Sequence, residues 1–188
     1  MSPQKGKKDK HFPVFALDNP LRKLFGSPRK YCVYVSQDQV VADLGCGPGF
    51  YTIALAGIVG PKGRVYAVDS DEKAVRSVER KAVRSKYNNI ETHITSAGNL
   101  NFIKSDSVDF VLAEGLLCSM APQDHASAVQ EIQRILKPNG KAFIQTTRGS
   151  ISYVDDKEWE FILEEFKVED RNNEPYKGDR WALVSRRG

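Results

Sequence analysis

The sequence predicts an α/β fold: a single domain with a mostly parallel sheet and helices on both of its faces. Short apolar, β-branched runs alternate along the chain with segments whose apolar residues recur at helical spacing. Several of these runs end in an acid or a small polar residue, as expected where strand ends meet at the ligand-binding edge of an open parallel sheet. A length of 188 residues suits one domain with a full core.

Composition narrows the function classes. The 28 Lys and Arg residues against 24 Asp and Glu residues give a net charge of +4, which permits a nucleic-acid partner without requiring one. No apolar run approaches the roughly 20 residues of a membrane span. Cys32, Cys46 and Cys118 are odd in number and far apart, which predicts reduced thiols and a cytoplasmic location. The histidines are scattered, so we expect no metal site.

Three segments are predicted. Residues 1–11 are basic and polar, which favours a disordered tail; the alternative is an electrostatic arm for RNA or another acidic substrate. Residues 12–38 form an N-terminal helical cap, in which Asp18-Asn19-Pro20 begins a helix that stops at Gly26. Residues 39–188 carry the repeated β–α pattern and form the main domain.

One stretch organises the chain. Val40–Leu44 is a buried strand that runs into three alternating glycines, and a helix follows from Tyr51. Glycines allow a close backbone approach to a nucleotide-like ligand, and the helix N-terminus offers free N–H groups. Asp43 precedes the glycines, where its carboxylate suits an ammonium group and would repel a pyrophosphate.

The second and third predicted strands also end in polar residues at the ligand-binding edge of the sheet. Arg64–Asp69 is the second strand, and Asp69 follows Gly49 by 20 residues, a spacing typical of an acid that accepts from ribose hydroxyls. Asp69 also suits the N-cap of the following helix, Asp71–Tyr87, and the two roles are compatible. Ile90–Thr95 is the third strand and leads into Ser96-Ala97.

The fourth strand, Val108–Ala113, delivers Glu114 to the same edge, as a general base or as a residue that orders the loop. Cys118 is interpreted as a small buried residue. A helix over Pro122–Leu136 and a fifth strand over Lys141–Thr146 follow.

The chain ends with a helix and two strands. We predict the helix over Asp155–Glu165, and strands over Glu165–Glu169 and Trp181–Ser185, whose closeness in sequence suits an antiparallel pair. On the earlier helix, a basic stripe is either a solvated face or a track for phosphates; it comprises Lys73, Arg76, Arg80 and Arg84.

Two segments carry a family resemblance. Asp-Leu-Gly-Cys-Gly-Pro-Gly at 43–49 resembles motif I of the class I S-adenosylmethionine (AdoMet)-dependent methyltransferases. The segment 131–141, Glu-Ile-Gln-Arg-Ile-Leu-Lys-Pro-Asn-Gly-Lys, resembles the E-x-x-R-x-L-K-P-G-G segment of small-molecule-type members of that family. The resemblance covers about 40–183. It implies a Rossmann-like, seven-stranded sheet with an antiparallel last strand, and AdoMet as the cofactor.

The resemblance also implies residue roles. Asp43 would hold the ammonium of AdoMet, Asp69 its ribose, and Ala97 its adenine, while Glu114 would lie beside the methyl group. Ser96 stands where the family often has an acid; it can still accept a hydrogen bond but brings no charge. The implied cofactor-binding set is Asp43, Gly45, Cys46, Gly47, Gly49, Asp69, Ser70, Ser96, Ala97 and Glu114.

Three functions are compatible with these patterns. The leading hypothesis is methyl transfer by direct in-line displacement to a small-molecule or lipid-like acceptor, with Glu114 or His125 taking a proton. Motifs of DNA adenine, protein glutamine and cytosine methylation are absent after the fourth strand. The alternatives are an RNA ribose or base methyltransferase, and a non-catalytic AdoMet-binding sensor or partner subunit.

Overall fold

A seven-stranded sheet forms the centre of the computed structural model, which describes residues 8–10, 27, 29–147, 152–172 and 179–187. In chain order the strands are β1 (Val40–Leu44), β2 (Arg64–Asp69), β3 (Ile90–Ile94), β4 (Val108–Glu114), β5 (Leu136–Thr147), β6 (Phe166–Arg171) and β7 (Asp179–Arg186). Their order across the sheet is β3-β2-β1-β4-β5-β7-β6, and β7 is antiparallel to both of its neighbours. The predicted α/β fold with an antiparallel last strand is therefore confirmed.

Strand β1 lies inside the sheet between β2 and β4, and four of its five residues are buried, as its apolar sequence predicts. Asp43, near its carboxyl end, is in register with Ala67 of β2 on one side and Leu112 of β4 on the other. The chain order therefore reverses between β1 and β4, and open α/β sheets bind ligands beside such a switch point.

Helices cover both faces of the sheet. They are α1 (Thr52–Val59), α2 (Glu72–Ser85), the short α3 (Leu116–Ser119), α4 (His125–Ile135) and α5 (Asp156–Glu164). Alternate residues of β4 enter two separate cores, with Val111 and Ala113 in one and Phe110 and Leu112 in the other. Within the described ranges, no helix is long and apolar enough to cross a membrane.

Some boundaries differ from the sequence-based ones. Residues 136–140, predicted as the end of a helix and a turn, belong to β5, whose register with β4 shifts between Val108 and Phe110. This irregularity accommodates Pro138, which lacks the N–H that a regular ladder uses. The helix α3 spans four residues, too few for a periodic pattern to show. The predicted helix beginning near Asp18 lies outside the described residues.

The 131–141 segment has a clear structural role. Glu131 accepts from the backbone N–H of Leu100 at 2.7 Å, and Arg134 donates to Glu131. Arg134 also donates to the carbonyl oxygens of Leu100 and Ile103, both at 2.9 Å. The pair thus ties α4 to the loop between β3 and β4, and satisfies backbone groups of that loop that have no ladder partner.

Replacing Arg134 by methionine is expected to lower the free energy of unfolding at neutral pH by about 2–3 kcal/mol, because charge-assisted hydrogen bonds to the partly buried loop are lost. The Arg134 hydrogen bond lowers the pKa of the Glu131 carboxyl. The stability contributed by ionised Glu131 is fully present above the pKa that Glu131 has in the unfolded chain, and it is lost as the pH falls through its lower pKa in the folded protein. The difference in free energy of unfolding between wild type and Arg134→Met should therefore become smaller in acid. Urea unfolding of both proteins at neutral and at acidic pH measures this difference.

A matched control is Arg76→Met on α2. Arg76 pairs with Glu72 one helical turn away, and both side chains are mostly exposed. Screened surface pairs contribute little, so this variant is expected to unfold like the wild type. Equal losses in the two variants would contradict the structural role given to Arg134.

Candidate functional site

A cavity of about 380 Å³ opens at the carboxyl ends of the central strands, within the roughly 300–1,000 Å³ typical of small-molecule sites. All of the residues that the sequence singled out as cofactor ligands line it, with the exception of Gly49. They come from the ends of β1, β2, β3 and β4, as the alternating pattern predicts for one edge of a parallel sheet.

The glycine loop forms the floor of the cavity. Gly45 and Gly47 have φ values of 72° and 52°, in the left-handed region that favours glycine. The N–H groups of Gly45 and Cys46 donate to the Val68 carbonyl oxygen at 2.8 and 3.0 Å, which fixes the loop on β2. A Cβ on Gly45 would lie 3.2 Å from Leu116 Cδ1, so the turn also requires a residue without a side chain.

Gly49 lies outside the lining of the cavity and packs against α2. It has a φ of 86°, and a Cβ there would lie 3.0 Å from Val78 Cγ2 on α2. Gly49 therefore allows α2 to pack closely against the start of α1. From the same helix, Lys81 donates to the Pro48 carbonyl oxygen at 2.8 Å and fixes the loop from outside.

Asp43 is the most enclosed carboxylate of the cavity. It is 3% exposed, and Thr52, the first residue of α1, donates its hydroxyl proton to Asp43 Oδ2 at 2.6 Å. The carboxylate therefore lies beside the N-terminus of α1, where the helix dipole favours a negative charge. A cation entering the cavity would meet this carboxylate already oriented.

Asp69 connects the second strand to the glycine loop. Its Oδ2 accepts from the Gly47 N–H at 2.8 Å, and its Oδ1 accepts from the Asp71 N–H at 2.9 Å. The side chain that caps α2 is that of Asp71, which accepts from the Lys73 N–H. Asp69 is thus held with both oxygens at the cavity, and each oxygen has further lone pairs for a ligand hydroxyl.

The third strand contributes a small, mostly apolar wall. Ser96 Oγ accepts from the Gly98 N–H at 3.3 Å, so it stabilises its own turn, and Ala97 beside it is buried. On the opposite side of the loop, burial raises the pKa of the Cys46 thiol, and the charges of Asp43 and Asp69 add to this effect. Cys46 is therefore a neutral thiol rather than a nucleophile.

Glu114 ends β4 beside the cavity and is bonded to the residue that precedes α1. Tyr51 donates its hydroxyl proton to Glu114 Oε1 at 2.9 Å. The two residues are 63 positions apart in the chain, so no local sequence pattern could predict this contact. After Glu114, Gly115 turns the chain with a φ of 70° and donates to the Gln145 carbonyl oxygen.

A second half of the cavity was missed by the sequence analysis. It is lined by Gln145 and Thr147 at the end of β5 and by Asp179 at the start of β7. Glu114 is in register with Gln145, and Thr147 with Asp179. Continuing the strand-end rule to the fifth strand would have found the first two, whereas Asp179 depends on the antiparallel pairing of β7.

Asp9 and Lys10 of the predicted tail line part of the cavity. The Ala121 N–H donates to Asp9 Oδ1 and the Lys10 N–H donates to the Ser119 carbonyl oxygen, both at 2.7 Å. The Lys10 ammonium lies 3.9 Å from the centre of the Tyr153 ring, a cation–π contact. Asp9 and Lys10 therefore contact the loop that follows β4.

His125 does not line the described cavity. It is 2% exposed; Nδ1 lies 2.9 Å from Glu158 Oε1, and Nε2 lies 3.0 Å from the Leu117 carbonyl oxygen. Both ring nitrogens thus contact protein groups outside the cavity. His125 supports the loop around α3, so Glu114 is the better placed of the two proton-accepting candidates.

The basic stripe of α2 faces solvent. Lys73, Arg76, Arg80 and Arg84 are all exposed, and the buried face of the helix consists of Ala74, Val75, Ser77, Val78 and Ala82. The cavity is lined from this helix by Ala74, on the side opposite to the stripe. The solvated-face interpretation therefore fits the position of these four residues.

Comparison with known proteins identifies the family. A family model described as a methyltransferase domain matches residues 36–183 of the chain. The chain belongs to this methyltransferase family. The match includes the glycine loop, every strand end around the cavity and the 131–141 segment. The resemblance to the class I AdoMet-dependent methyltransferases is confirmed, and AdoMet is the cofactor that this family uses.

Solved methyltransferases share the fold. An AdoMet-dependent methyltransferase from Aquifex aeolicus is 24% identical with a TM-score of 0.72, covering 93% of this chain and 100% of that one. A TehB-like AdoMet-dependent methyltransferase from Corynebacterium glutamicum is 16% identical with a TM-score of 0.73, covering 93% of this chain and 92% of that one.

Relatives with assigned names match a shorter region. A demethylmenaquinone methyltransferase from Geobacillus sp. (strain WCH70) is 31% identical over 107 residues, 57% of this methyltransferase and 44% of that protein. One from Lactobacillus johnsonii is 30% identical over 124 residues, 66% of this chain and 50% of that protein. The matched region thus spans about half the length of these relatives or less.

Proposed function

We propose that the cavity binds AdoMet along β1, β2 and β3 and that the enzyme methylates a small-molecule acceptor bound along β4, β5 and β7. The observation that carries the proposal is the division of the cavity at the switch point between β1 and β4. Asp43, Asp69 and the glycine loop lie on one side, and Glu114, Gln145 and Asp179 lie on the other. Residues 39–188 constitute the methyltransferase domain in this proposal, in agreement with the match to 36–183.

The residues present fit AdoMet. Gly45 and Gly47 have positive φ values that residues with side chains rarely adopt, and both line the cavity, so backbone can approach a ligand closely there. In this proposal Asp43 binds the ammonium, Asp69 the ribose hydroxyls and Ala97 the adenine face. Ser70 and Ser96 extend the ribose and adenine sides, and Gly45, Cys46 and Gly47 contribute backbone. Gly49 supports the loop by its packing. When bound, AdoMet supplies a methyl group activated by a sulfonium.

Charge and shape favour a small acceptor without phosphates. Among the described residues that line the cavity, Lys10 is the single Lys or Arg, against the carboxylates of Asp9, Asp43, Asp69, Asp71, Glu114 and Asp179. Such a surface repels a phosphate backbone, whereas nucleic-acid sites are basic. The relatives named demethylmenaquinone methyltransferases support the same class of acceptor.

The protein's part in the reaction is alignment and exclusion of water. A sulfonium methyl is already activated, so most of the rate gain comes from holding the acceptor atom in line with it. Glu114 is the carboxylate on the acceptor side that takes a proton from an O–H or N–H acceptor. The buried walls formed by Leu116, Cys118 and Met120 keep solvent out of this side.

The experiment is transfer of a radiolabelled methyl from AdoMet into cell extract, followed by separation into small molecules, RNA and protein. The expected result is label in the small-molecule fraction, dependent on Asp69. Label in RNA would support the ribose or base methyltransferase alternative. Binding of AdoMet by calorimetry without transfer to any fraction would support a non-catalytic binder.

A further inference from the structure

The hydrogen bond from Tyr51 to Glu114 joins the two halves of the cavity. Tyr51 directly follows the glycine loop and precedes α1, whereas Glu114 ends β4 on the acceptor side. Their side chains meet at 2.9 Å, and both residues line the cavity. A bonded carboxylate at this position has a fixed orientation, which an unsupported glutamate with three side-chain torsions would lack.

The Tyr51 ring is itself fixed by aromatic neighbours. It is 8% exposed, with Phe50 packed edge-on at 5.0 Å and Tyr31 edge-on at 4.9 Å between ring centres. Tyr31 in turn lies 4.7 Å from Phe143 of β5. The phenol that bonds Glu114 is therefore preorganised by packing rather than held by the hydrogen bond alone.

Tyr31 adds an unusual feature behind the pair. It is 1% exposed, and within the described residues its hydroxyl oxygen forms no hydrogen bond of standard geometry. Burial raises the pKa of Tyr31 well above its usual range, and the nearby charges of Glu114 and Tyr51 add to the shift. A buried hydroxyl without a hydrogen bond costs stability, and a role in the neighbouring site is one explanation for such a group.

We propose that Tyr51, supported by the Tyr31 ring, is a positioning residue that orients Glu114 to accept the proton that the methyl acceptor loses. The inference rests on the proposed function. In the step, the acceptor atom forms a bond to the methyl carbon while the carbon–sulfur bond breaks and its electron pair stays on sulfur. The acceptor's proton goes to Glu114, so one positive and one negative charge disappear together.

The test compares wild type, Tyr51→Phe and Glu114→Gln in label transfer to the small-molecule fraction across pH. Glu114→Gln is expected to lose at least about 100-fold in rate while still binding AdoMet in calorimetry. Tyr51→Phe removes a donor to the carboxylate, which is expected to raise the pKa of Glu114 by about one unit. The acid limb of its rate profile should therefore move up by about one pH unit.

A second readout follows Glu114 directly. In NMR spectra of protein labelled with ¹³C at the Glu side-chain carboxyl, the resonance that is missing from Glu114→Gln identifies Glu114. In Tyr51→Phe, the pH midpoint of this resonance should shift by the same amount as the acid limb of the rate profile. Wild type and Tyr51→Phe have the same other titratable groups in the cavity, so a difference between their midpoints or rate profiles is due to Tyr51. These groups are Asp9, Lys10, Asp43, Cys46, Asp69, Asp71, Cys118 and Asp179. Tyr34→Phe is the control, because Tyr34 stacks on Phe110 away from the cavity lining and should shift neither value.

Two results would overturn the inference. The first is a Tyr51→Phe variant in which the titration midpoint of the Glu114 resonance shifts but the acid limb of the rate profile does not, because the hydrogen bond would then have a structural role only. The second is full activity in Glu114→Gln, which would show that Glu114 does not accept the proton. If the wild-type protein binds AdoMet but labels no fraction, the proposed function fails and the inference fails with it; that outcome is distinguished by the wild-type data alone.

Discussion

Replacing Asp69 by alanine is expected to weaken AdoMet binding about 100-fold or more. In the proposed complex, the Asp69 carboxylate accepts from two ribose hydroxyls, and hydrogen bonds to charged groups contribute about 1.5–3 kcal/mol each. The substitution also releases the Gly47 N–H that Asp69 now holds at 2.8 Å, so the glycine loop loses an anchor. Isothermal titration calorimetry with AdoMet measures the change.

Two controls separate binding from folding. Asp69→Asn keeps the side-chain size and one acceptor oxygen, so it should bind about tenfold more weakly than wild type. Asp155→Ala removes a carboxylate that caps α5, accepts from the Glu158 N–H at 2.9 Å and does not line the cavity. It should bind AdoMet normally. Unchanged binding in Asp69→Ala would contradict the ribose role.

Replacing Gly45 by alanine is expected to lower the free energy of unfolding by about 2–5 kcal/mol and to abolish AdoMet binding. A side chain at a φ of 72° is strained, and its Cβ would lie 3.2 Å from Leu116 Cδ1, so strain and overpacking add. Relief of the backbone strain requires movement of the loop that forms the cavity floor, and relief of the close contact requires a shift of the Leu116 side chain, which also lines the cavity. Thermal unfolding and calorimetry measure the two effects.

The matched variant is Gly60→Ala. Gly60 has a φ of 69°, close to that of Gly45, but a Cβ there would meet nothing within 4 Å. It should show the backbone strain alone, about 1–3 kcal/mol, with normal AdoMet binding. Equal losses of unfolding free energy and equal AdoMet binding in the two variants would show that the close contact between Gly45 and Leu116 does not matter.

The cofactor side of the cavity was predictable because it depends on local signals. A buried strand followed by glycines, and strands that end in Asp69 or Ser96, place those residues at one edge of the sheet by topology alone. Asp43 and the loop residues follow from the same rule. Gly49 lies outside the described lining of the cavity, and its proximity to Val78 was not predictable because it depends on how α2 packs.

The acceptor side was less predictable because it depends on pairing between distant segments. Asp179 reaches the cavity through the antiparallel ladder of β7 on β5, and Tyr51 reaches Glu114 across 63 positions. The early start of β5 at Leu136 follows from an irregular register with β4 rather than from propensity. The fold class and most residues on the proposed cofactor side of the cavity therefore follow from the sequence pattern, whereas the proposed acceptor side depends on tertiary contacts.

A crystal structure of the protein with S-adenosylhomocysteine, the product that remains after methyl transfer, would test the proposed cofactor site directly. We predict the ribose hydroxyls within hydrogen-bonding distance of Asp69, the amino group near Asp43, and the sulfur facing Glu114. A ligand bound elsewhere, or bound in this cavity without contact to Asp69, would contradict it.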